Sequence, residues 1–517
     1  MITVPERYNV STLLDRNLEG GRGDNVAILC GDERITYREL LRRVNRFGSA
    51  LRACLRREER VVLMLNDSPA FPTAFLGAIR VGAVPVPVNP LLKWEDQRYF
   101  IADSYARAVV VDHEHYAKVQ RALDGHGERV EVIVANGSAP GTTALDDLLR
   151  SGQDELSPAD THRDDAAFFL YSSGSTGNPK GVVHLQHDVP YTCETYARRV
   201  LEISDRDVTF STAKLFHAYG LGNNLTFPYW AGATSVLLPG RPMPQALLEG
   251  VQRFKPTLFF GVPTLYNAIL NFPDCRTYDL SSIRRYVSAA EALPPEIWRR
   301  WKETFGLPIL DGIGTTEMMH IFMSNTAEAM KPGSSGKPVP GYEVRILDDE
   351  GQPVKRGQAG HLMVRGDSAA ACYWHFHEKS KATMVGDWMR TGDWYRQDAD
   401  GFYWCEGRSD DMMKVGGLWV SPVEVENTLV EHPAISEAAV VGVAIEGLNK
   451  MKAYVILREG KAGSAALVEE LQQWCKGRLA RYEFPQFIEF VPDLPKTITG
   501  KIQRFKLREA QAAPTPR

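Results

Sequence analysis

The segment 171–181 reads Tyr-Ser-Ser-Gly-Ser-Thr-Gly-Asn-Pro-Lys-Gly and carries the residue types that hold phosphate groups. Glycines let the backbone turn its N–H groups toward an anion, small hydroxyls add donors, and Lys180 adds a positive charge. A Walker P-loop instead places Ser or Thr and a helix directly after Gly-Lys. A Gly/Ser linker is the plain alternative, but apolar runs typical of buried strands flank the segment. It therefore predicts a phosphate loop of another type.

Other polar segments have the residue types that a nucleotide site needs. Asp311-Gly-Ile-Gly-Thr-Thr-Glu317 follows an apolar run, and its last carboxylate suits a hard cation such as Mg²⁺. The turn 390–393 presents an acid that can accept hydrogen bonds from ribose hydroxyls. Arg408 can pair with phosphate, and the segment 495–501 sets a lysine on a glycine turn. Taken singly, each segment also suits an ordinary turn or a solvated charge cluster.

The elements that must position these residues alternate between helix and strand patterns from the N-terminus to about residue 160. Thr36-Tyr-Arg-Glu39 is a capping box, and Val61–Leu65 is typical of a buried strand. Ser68-Pro69 predicts a helix start with the serine as N-cap. Such alternation predicts α/β layers with mostly parallel strands.

Two later regions have different textures. Between residues 333 and 405, short apolar runs separated by Gly, Pro and Asp turns predict a small antiparallel β subdomain. Beyond about residue 412 a fresh α/β pattern begins, with helices expected to start at Ser421 and Ser464.

A chain of 517 residues, 44% of them hydrophobic, is too long for one core and predicts several domains. The predicted fold class is α/β. We expect a large N-terminal domain, residues 1–409, built from two α/β layered subdomains and the small β subdomain. A small, mobile α+β C-terminal domain is expected at residues 410–517.

Composition excludes several classes of protein. A net charge of −4 argues against a nucleic-acid binder, and no apolar run is long enough for a membrane span. The seven cysteines form no C-x-x-C pair, which argues against a zinc site or a disulfide framework. With no basic-then-apolar leader at Met1, we expect a cytoplasmic monomer or homodimer whose partners are small molecules.

In this order, the motifs resemble the acyl-adenylate-forming (AMP-binding) superfamily of acyl-CoA ligases, adenylation domains and luciferases. The segments 214–223, 260–264, 288–294 and 311–321 are most similar to the benzoate-CoA ligase branch. The resemblance implies a reaction in two halves that uses ATP, Mg²⁺ and coenzyme A. A carboxylate attacks the α-phosphate of ATP and gives acyl-AMP and pyrophosphate. The thiol of coenzyme A then attacks the acyl carbon and expels AMP.

The resemblance also assigns roles to the nucleotide-binding residues. It implies that the β- and γ-phosphates are held by Ser172, Ser173, Gly174, Ser175, Thr176, Gly177 and Lys180. The other implied nucleotide contacts are Glu317 as the Mg²⁺ ligand, Thr316 near the α-phosphate, Ala290, Glu291, Ala292 and Asp311 along adenine, Gly312 and Thr315 beside the nucleotide, Asp393 on the ribose, and Arg408 on ribose or phosphate. Ala290 stands where relatives often carry glycine, which crowds the adenine wall slightly.

The C-terminal motifs gain roles in the same way. Lys501 resembles the lysine that contacts the attacking carboxylate and the α-phosphate during adenylation. Asp410 matches the hinge about which the C-terminal domain turns between the two halves. After that turn, Gly416 and Gly417 are expected to face the site and leave room for the pantetheine arm.

By motif position, the acyl pocket is lined mostly by aromatic and small side chains. Its candidate residues are Tyr196, His217, Ala218, Tyr219, Phe260, Ala289, Gly314, Met319, His320 and Ile321. This set suits a flat ring better than an alkyl chain. The segment 216–219 holds no acid for an α-amine, which argues against an amino-acid substrate.

Three of the pocket residues, His217, Tyr219 and His320, can hydrogen-bond a ring substituent. Burying such groups unpaired costs about 1–3 kcal/mol each, which favours 2-aminobenzoate or a hydroxybenzoate over benzoate. As an alternative, His217 is only a gate that packs on the adenylate.

Two enzyme classes share the first half-reaction. One is an aryl-CoA ligase. The other is an aryl-acid adenylating enzyme that loads a carrier-protein thiol. A non-catalytic relative is disfavoured because Lys180, Glu317, Asp393, Arg408 and Lys501 are all present.

Overall fold

The computed structural model describes residues 2–172, 178–415, 418–445, 448–480, 483–496 and 502–512. Strands and helices alternate over the first part of the chain. They are α1 (Thr12–Glu19), β1 (Val26–Cys30), β2 (Glu33–Thr36), α2 (Tyr37–Arg52), β3 (Arg60–Met64), α3 (Ala70–Arg80), β4 (Val84–Pro87), α4 (Trp94–Asp103), β5 (Ala106–Asp112), α5 (Tyr116–Leu123), β6 (Glu131–Ala135), β7 (Thr143–Ala144) and α6 (Leu145–Ser151).

The alternation continues through the middle of the chain. Its elements are β8 (Ala166–Ser172), β9 (Lys180–Leu185), α7 (Asp188–Thr192), β10 (Val208–Ser211), α8 (Ala218–Leu221), α9 (Phe227–Ala231), β11 (Thr234–Val236), α10 (Pro244–Phe254), β12 (Leu258–Gly261), α11 (Pro263–Leu270), β13 (Arg285–Ser288), α12 (Pro295–Phe305), β14 (Ile309–Gly314) and β15 (Ile321–Ser324). Two π-helical turns, Cys193–Ala197 and Gly222–Thr226, interrupt the helices after α7 and α8.

The remaining elements are shorter and richer in strand. They are β16 (Lys337–Pro338), β17 (Glu343–Leu347), β18 (Ala359–Arg365), β19 (Cys372–Tyr373), α13 (His377–Thr383), β20 (Met384–Val385), β21 (Trp388–Gln397), β22 (Tyr403–Arg408), β23 (Met413–Val415), β24 (Leu418–Val420), α14 (Pro422–Val430), β25 (Ile435–Ile445), β26 (Leu448–Leu457), α15 (Ala465–Lys476), β27 (Phe487–Phe490) and α16 (Arg504–Ala512).

Two mainly parallel sheets form the α/β layers, as the alternation predicts. One has the strand order β4-β3-β5-β6-β7 and is parallel throughout. The other has the order β16-β15-β14-β13-β12-β10-β11-β1-β2 and is parallel from β14 to β1. Strand β1 joins this second sheet although it precedes the first sheet in the chain.

Antiparallel pairing marks the other regions. Strands β8 and β9 form a hairpin that encloses the phosphate segment, with β19 on its outer edge. Strands β17, β18, β20, β21 and β22 form the small antiparallel sheet predicted between 333 and 405. In the C-terminal part, β25, β26 and β27 form a mixed sheet on which α14 and α16 pack. The fold class is thus α/β with a large N-terminal domain and a smaller C-terminal domain, while the exact boundary stays a prediction.

Helix starts follow the expected capping in three cases and depart from it in one. The side-chain hydroxyls of Thr36, Ser421 and Ser464 each accept a hydrogen bond from the backbone N–H three residues later. The prediction that Ser68 is an N-cap is wrong. Pro69 occupies that position, and Ser68 accepts from the Phe71 N–H through its backbone carbonyl, at 3.0 Å.

The largest apolar core is shared by the two parallel sheets, since it contains both Val61 of β3 and Val287 of β13. Further cores contain other side chains of the second sheet and of the first sheet, and another lies in the C-terminal part. Within the described residues, no helix combines the length and the apolar character needed to cross a bilayer.

Candidate active site

The carboxyl ends of four neighbouring parallel strands bring most of the candidate residues together. Strands β10, β12, β13 and β14 end at Ser211, Gly261, Ser288 and Gly314. The adenine-wall residues 289–292, the turn that carries Glu317 and the 213–219 loop all follow these ends. Ligands of open α/β sheets bind at this edge, because loops from successive strands meet there.

Positive charge gathers at the hairpin of β8 and β9, between which the predicted phosphate segment lies in the sequence. Ser172 and Lys180 face each other across β8 and β9, and the Lys180 ammonium lies 5.2 Å from the centroid of the Tyr373 ring. Burial lowers the pKa of Lys180; the nearby cations Lys379 and Arg408 also lower it, whereas Glu317 opposes them. Three cations and a carboxylate therefore converge on one place, as a polyphosphate site requires.

Glu317 lies in the short 3-10 turn Thr316–Met318. The Thr315 hydroxyl caps this turn by accepting from the Met318 N–H at 3.1 Å, and the Tyr373 phenol donates to Glu317 Oε1 at 2.8 Å. Burial, with the Glu317 charge, raises the pKa of Tyr373, so the phenol remains a donor. Because a carboxylate has about four lone-pair sites, this bond leaves Glu317 free to bind a metal.

Asp393 and Arg408 are neighbours across β21 and β22 and form an ion pair. Arg408 Nη1 lies 2.9 Å from Asp393 Oδ1 and also donates to the Thr391 carbonyl at 3.2 Å. The Asp393 charge raises the pKa of Arg408. Gly392, at φ +78°, leaves room for the guanidinium, since a Cβ there would lie 2.9 Å from Nη2.

The predicted adenine wall has two properties that the sequence did not reveal. Ala290 adopts φ +78°, a conformation that favours glycine. Asp311 is buried, its pKa is raised well above the usual range by that burial, and its Oδ1 has no hydrogen-bond partner among the described residues. The Glu291 carboxylate accepts from the backbone N–H of Ile502 at 2.9 Å, so the residue after Lys501 contacts this wall.

The hinge candidate Asp410 lies in the turn after β22, where the Asp411 and Met412 N–H groups both donate to the Arg408 carbonyl. Asp411 also pairs with Arg508 of α16 at 2.7 Å.

Aromatic rings enclose His320 at the acyl pocket. Its ring centroid lies 4.4 Å from that of Phe227, 5.4 Å from Tyr196 and 5.5 Å from Tyr219. Nε2 faces two acceptors, Asn223 Oδ1 at 3.1 Å and the Tyr219 carbonyl at 3.3 Å. Burial lowers the pKa of His320 to about 3. The imidazole is therefore neutral with its proton on Nε2, and Nδ1 is an acceptor.

The other pocket candidates fall into two groups. Phe260, Ala289, Met319 and Ile321 are buried. A larger residue does not fit at Gly314, because a Cβ there would lie 2.6 Å from the His320 carbonyl. Ala218 and Tyr219 open α8, and the Tyr219 phenol donates to the Val287 carbonyl at 3.3 Å.

His217 is half-buried, and its Nε2 has no hydrogen-bond partner within the described residues. Burial lowers its pKa to about 4. The Asp67 carboxylate holds the preceding loop by accepting from the Leu215 N–H at 3.1 Å.

Comparison with known proteins agrees with this geometry. The family model described as AMP-binding enzyme matches residues 14–374, and the model described as AMP-binding enzyme C-terminal domain matches residues 424–501. The chain belongs to the AMP-binding enzyme family.

Individual members of the AMP-binding family are similar over nearly their whole length. The benzoate-CoA ligase of Thauera aromatica is 48% identical, over 98% of this chain and 97% of that protein. The 4-hydroxybenzoate-CoA/benzoate-CoA ligase of Rhodopseudomonas palustris is 42% identical, over 97% and 94%. The crystal structure of the anthranilate CoA ligase AuaEII in complex with anthranoyl-AMP superposes with a TM-score of 0.95 at 44% identity, covering 98% of each chain. The resemblance inferred from the motifs is confirmed.

The structure brings together the candidates that it describes, but their roles stay predictions. Ser173, Gly174, Ser175, Thr176, Gly177, Gly416, Gly417 and Lys501 lie outside the described residues. Sequence reasoning missed Tyr373, Asn223 and Gly222. Asn223 and Gly222 share a π-helical turn, a feature frequent at functional sites. Both lie in the segment 214–223, which was singled out for its resemblance, but neither was given a role.

Proposed function

We propose that this chain is an ATP-dependent aryl-CoA ligase that joins a benzoate-type acid to coenzyme A and releases AMP and pyrophosphate. One observation carries the proposal. The segment 314–320 contains both Glu317, which lies beside the cations of the proposed phosphate site, and His320, which is surrounded by aromatic rings at the acyl pocket. An acid whose ring lies in that pocket has its carboxylate beside the nucleotide's phosphates. The names of the similar proteins, benzoate, 4-hydroxybenzoate and anthranilate CoA ligases, support the same reaction.

In the first half-reaction a carboxylate oxygen forms a bond to the α-phosphorus, and the bond to the pyrophosphate oxygen breaks. Two anions meet in this step, so cations must offset the developing charge. Lys180 and Arg408 supply two of them, and Lys501 is the proposed third. One charge pair at about 4 Å is worth roughly 4 kcal/mol at an effective dielectric of about 20. Losing half of that slows the step about thirtyfold.

Mg²⁺ is proposed to accompany ATP and to be bound by Glu317. This ion usually binds one or two carboxylates together with substrate phosphates, and Glu317 keeps lone pairs beyond the one that Tyr373 uses. When bound, it would neutralise phosphate charge. Asp311, with its unpartnered Oδ1, is proposed to meet the adenine amino group, and Asp393 the ribose hydroxyls.

In the second half-reaction the sulfur of coenzyme A bonds to the acyl carbon and AMP leaves. We propose that residues 410–517 turn as a unit about Asp410, so that Lys501 leaves and Gly416 and Gly417 approach. The Ile502 N–H donates to Glu291 at the adenine wall, and on this contact we base the proposal that the preceding lysine acts in the first half-reaction.

The pocket favours a ring substituent that donates a hydrogen bond. His320 Nδ1 is an acceptor without a partner among the described residues. Tyr219, by contrast, already donates to a carbonyl. A ring amino or hydroxyl group would supply the missing donor, whereas benzoate would leave a buried acceptor unpaired at a cost of about 1–3 kcal/mol. We therefore propose 2-aminobenzoate or a hydroxybenzoate.

Pyrophosphate release tests this function directly. We expect release to depend on aryl acids in a panel of benzoate, aminobenzoates, hydroxybenzoates and alkanoates, with aryl-CoA formed only when free coenzyme A is present. A preference for alkanoates would refute the aryl assignment. Aryl-AMP formation without any thioester on coenzyme A would favour a carrier-protein acceptor instead.

A further inference from the structure

Three consecutive backbone carbonyls of the 316–318 turn are held by donors from distant parts of the chain. His184 Nε2 lies 2.8 Å from the Thr316 carbonyl. The Ala370 N–H donates to the Glu317 carbonyl at 2.8 Å, and the Ser368 hydroxyl donates to the Met318 carbonyl at 2.9 Å. The turn that carries two proposed nucleotide contacts is thus fixed from outside, and no sequence motif marked these donors.

His184 differs from the other two donors because it is itself held by a buried carboxylate. Its Nδ1 lies 2.7 Å from Asp188 Oδ2, and both side chains are fully buried. The Leu185 N–H donates to the same oxygen at 3.1 Å, and His187 Nε2 lies 3.3 Å from Oδ1. The imidazole also stacks on Phe168, with 5.1 Å between the ring centroids.

The chemistry of the two contacts assigns the protons. A carbonyl oxygen can only accept, so His184 Nε2 must carry a hydrogen. A second proton lies between Nδ1 and Asp188 Oδ2, which makes the pair neutral overall. With a hydrogen on both nitrogens, the same imidazole donates to Asp188 and to Thr316 at once.

We propose that His184, oriented by Asp188, is a positioning residue for the adenylation half-reaction. It lies on β9, four residues after Lys180, and side chains at that spacing share one face of a strand. It therefore ties the Thr316–Glu317 turn to the strand that holds the phosphate-binding lysine. The proposal rests on the function proposed above. It predicts that the Thr316–Glu317 turn and Lys180 lose their relative positions when the Nε2 donor is removed.

A matched pair of substitutions separates positioning from packing. His184→Gln can place an amide N–H near the Nε2 position. His184→Asn places one nearer Nδ1 and leaves the Thr316 carbonyl with only its local donor, the Met319 N–H at 3.0 Å. Both remove the ring and should lose similar stability in thermal unfolding. We expect aryl-acid-dependent pyrophosphate exchange to fall about 10- to 100-fold in His184→Asn, because a misplacement of about 1 Å is enough for such a loss, and much less in His184→Gln.

The kinetic parameters should change selectively. In His184→Asn we expect a higher KM for Mg·ATP, a nearly unchanged KM for the aryl acid, and little change in the reaction of supplied aryl-AMP with coenzyme A. His432→Asn, which removes another buried histidine that contacts a carboxylate, Glu470 at 3.1 Å in the C-terminal part, serves as the control and should leave exchange unchanged.

Asp188→Asn provides a second test that holds even when His184→Asn fails to fold. An amide oxygen carries no charge to favour the doubly protonated ring. It still accepts from the Leu185 N–H, so it keeps the single hydrogen of a neutral imidazole on Nδ1 and leaves Nε2 without one. Exchange should therefore fall as in His184→Asn. Equal exchange in His184→Gln and His184→Asn, or wild-type exchange in Asp188→Asn, would overturn the inference. If the wild-type protein itself forms no aryl-AMP from any acid, the proposed function fails instead.

Discussion

Gly222→Ala should damage the acyl pocket through a single atom. A Cβ at Gly222 would lie 2.3 Å from His320 Cδ2 and 2.7 Å from Nε2, with Phe227 Cζ at 3.2 Å. The imidazole cannot shift freely, because the Tyr196, Tyr219 and Phe227 rings surround it. The substitution therefore forces His320 out of its position.

The size of the effect follows from these distances. The ring must move by about 1.1 Å, the difference between 2.3 Å and an ordinary contact of 3.4 Å, which breaks the bond from Nε2 to Asn223 Oδ1. An unpaired buried donor costs about 1–3 kcal/mol, and overpacking costs about as much. We expect the free energy of unfolding to fall by about 2–6 kcal/mol, the sum of the two costs. A misplacement of about 1 Å should also lower kcat/KM for the aryl acid about 10- to 100-fold.

The assay compares pyrophosphate exchange with urea unfolding in two variants. Gly250→Ala is the matched control, because its Cβ would lie 2.9 Å from the Phe210 ring in a separate core. It should lose stability while the KM for the aryl acid is unchanged. Gly222→Ala should raise that KM and leave the KM for ATP alone. If both variants lose stability alike and neither changes the KM for the aryl acid, His320 does not form the pocket wall.

The remaining predictions concern the other half-reaction, the adenine wall and pH. Lys501→Ala should slow adenylation strongly yet let supplied aryl-AMP react with coenzyme A. Gly417→Leu should do the reverse, sparing pyrophosphate exchange and blocking thioester formation. Equal loss of both half-reactions in either variant would contradict the role assigned to that residue. Ala290→Gly should raise the free energy of unfolding in urea by about 0.5–1 kcal/mol. Ala290 has φ +78°, and a left-handed conformation costs a non-glycine residue about 1–2 kcal/mol. A less stable variant would show that the backbone of Ala290 is not strained. Burial lowers the pKa of His320 to about 3, below the roughly 6.5 of histidine in an unfolded chain. The neutral buried imidazole is therefore fully compatible with the fold above the pKa of the unfolded chain, and stability is lost as the pH falls from that pKa toward the pKa of the folded protein. His320→Gln should therefore lose about 2 kcal/mol less unfolding free energy than the wild type between pH 7 and pH 5, and an equal loss would contradict the buried neutral histidine.

Local structure was predictable where short-range chemistry decides it. The N-caps at Thr36, Ser421 and Ser464 depend on residues three apart, and all three form. Of the predicted capping box, only the half made by the Thr36 hydroxyl is seen, while the Glu39 carboxylate accepts from Arg43. The start at Ser68 was mispredicted because Ser and Pro are both favoured at helix starts, and the sequence does not tell which one takes the N-cap position. The left-handed backbone of Ala290 was not predicted. The glycine that relatives often carry at this position was interpreted only as a smaller side chain, because alanine normally avoids that backbone region.

The sequence by itself determined which chemistry is proposed for this protein. A phosphate loop, an acid for Mg²⁺ and a ring-sized pocket each need particular types of side chain, and residues of these types stand in the motifs of the chain. Only the tertiary structure decided how the parts are held together. Every residue carries a backbone carbonyl, so the sequence cannot tell that His184, Ser368 and Ala370 are the donors that fix one turn. Contacts between residues so far apart in the chain are decided by the order of strands in the sheets and by the packing between them.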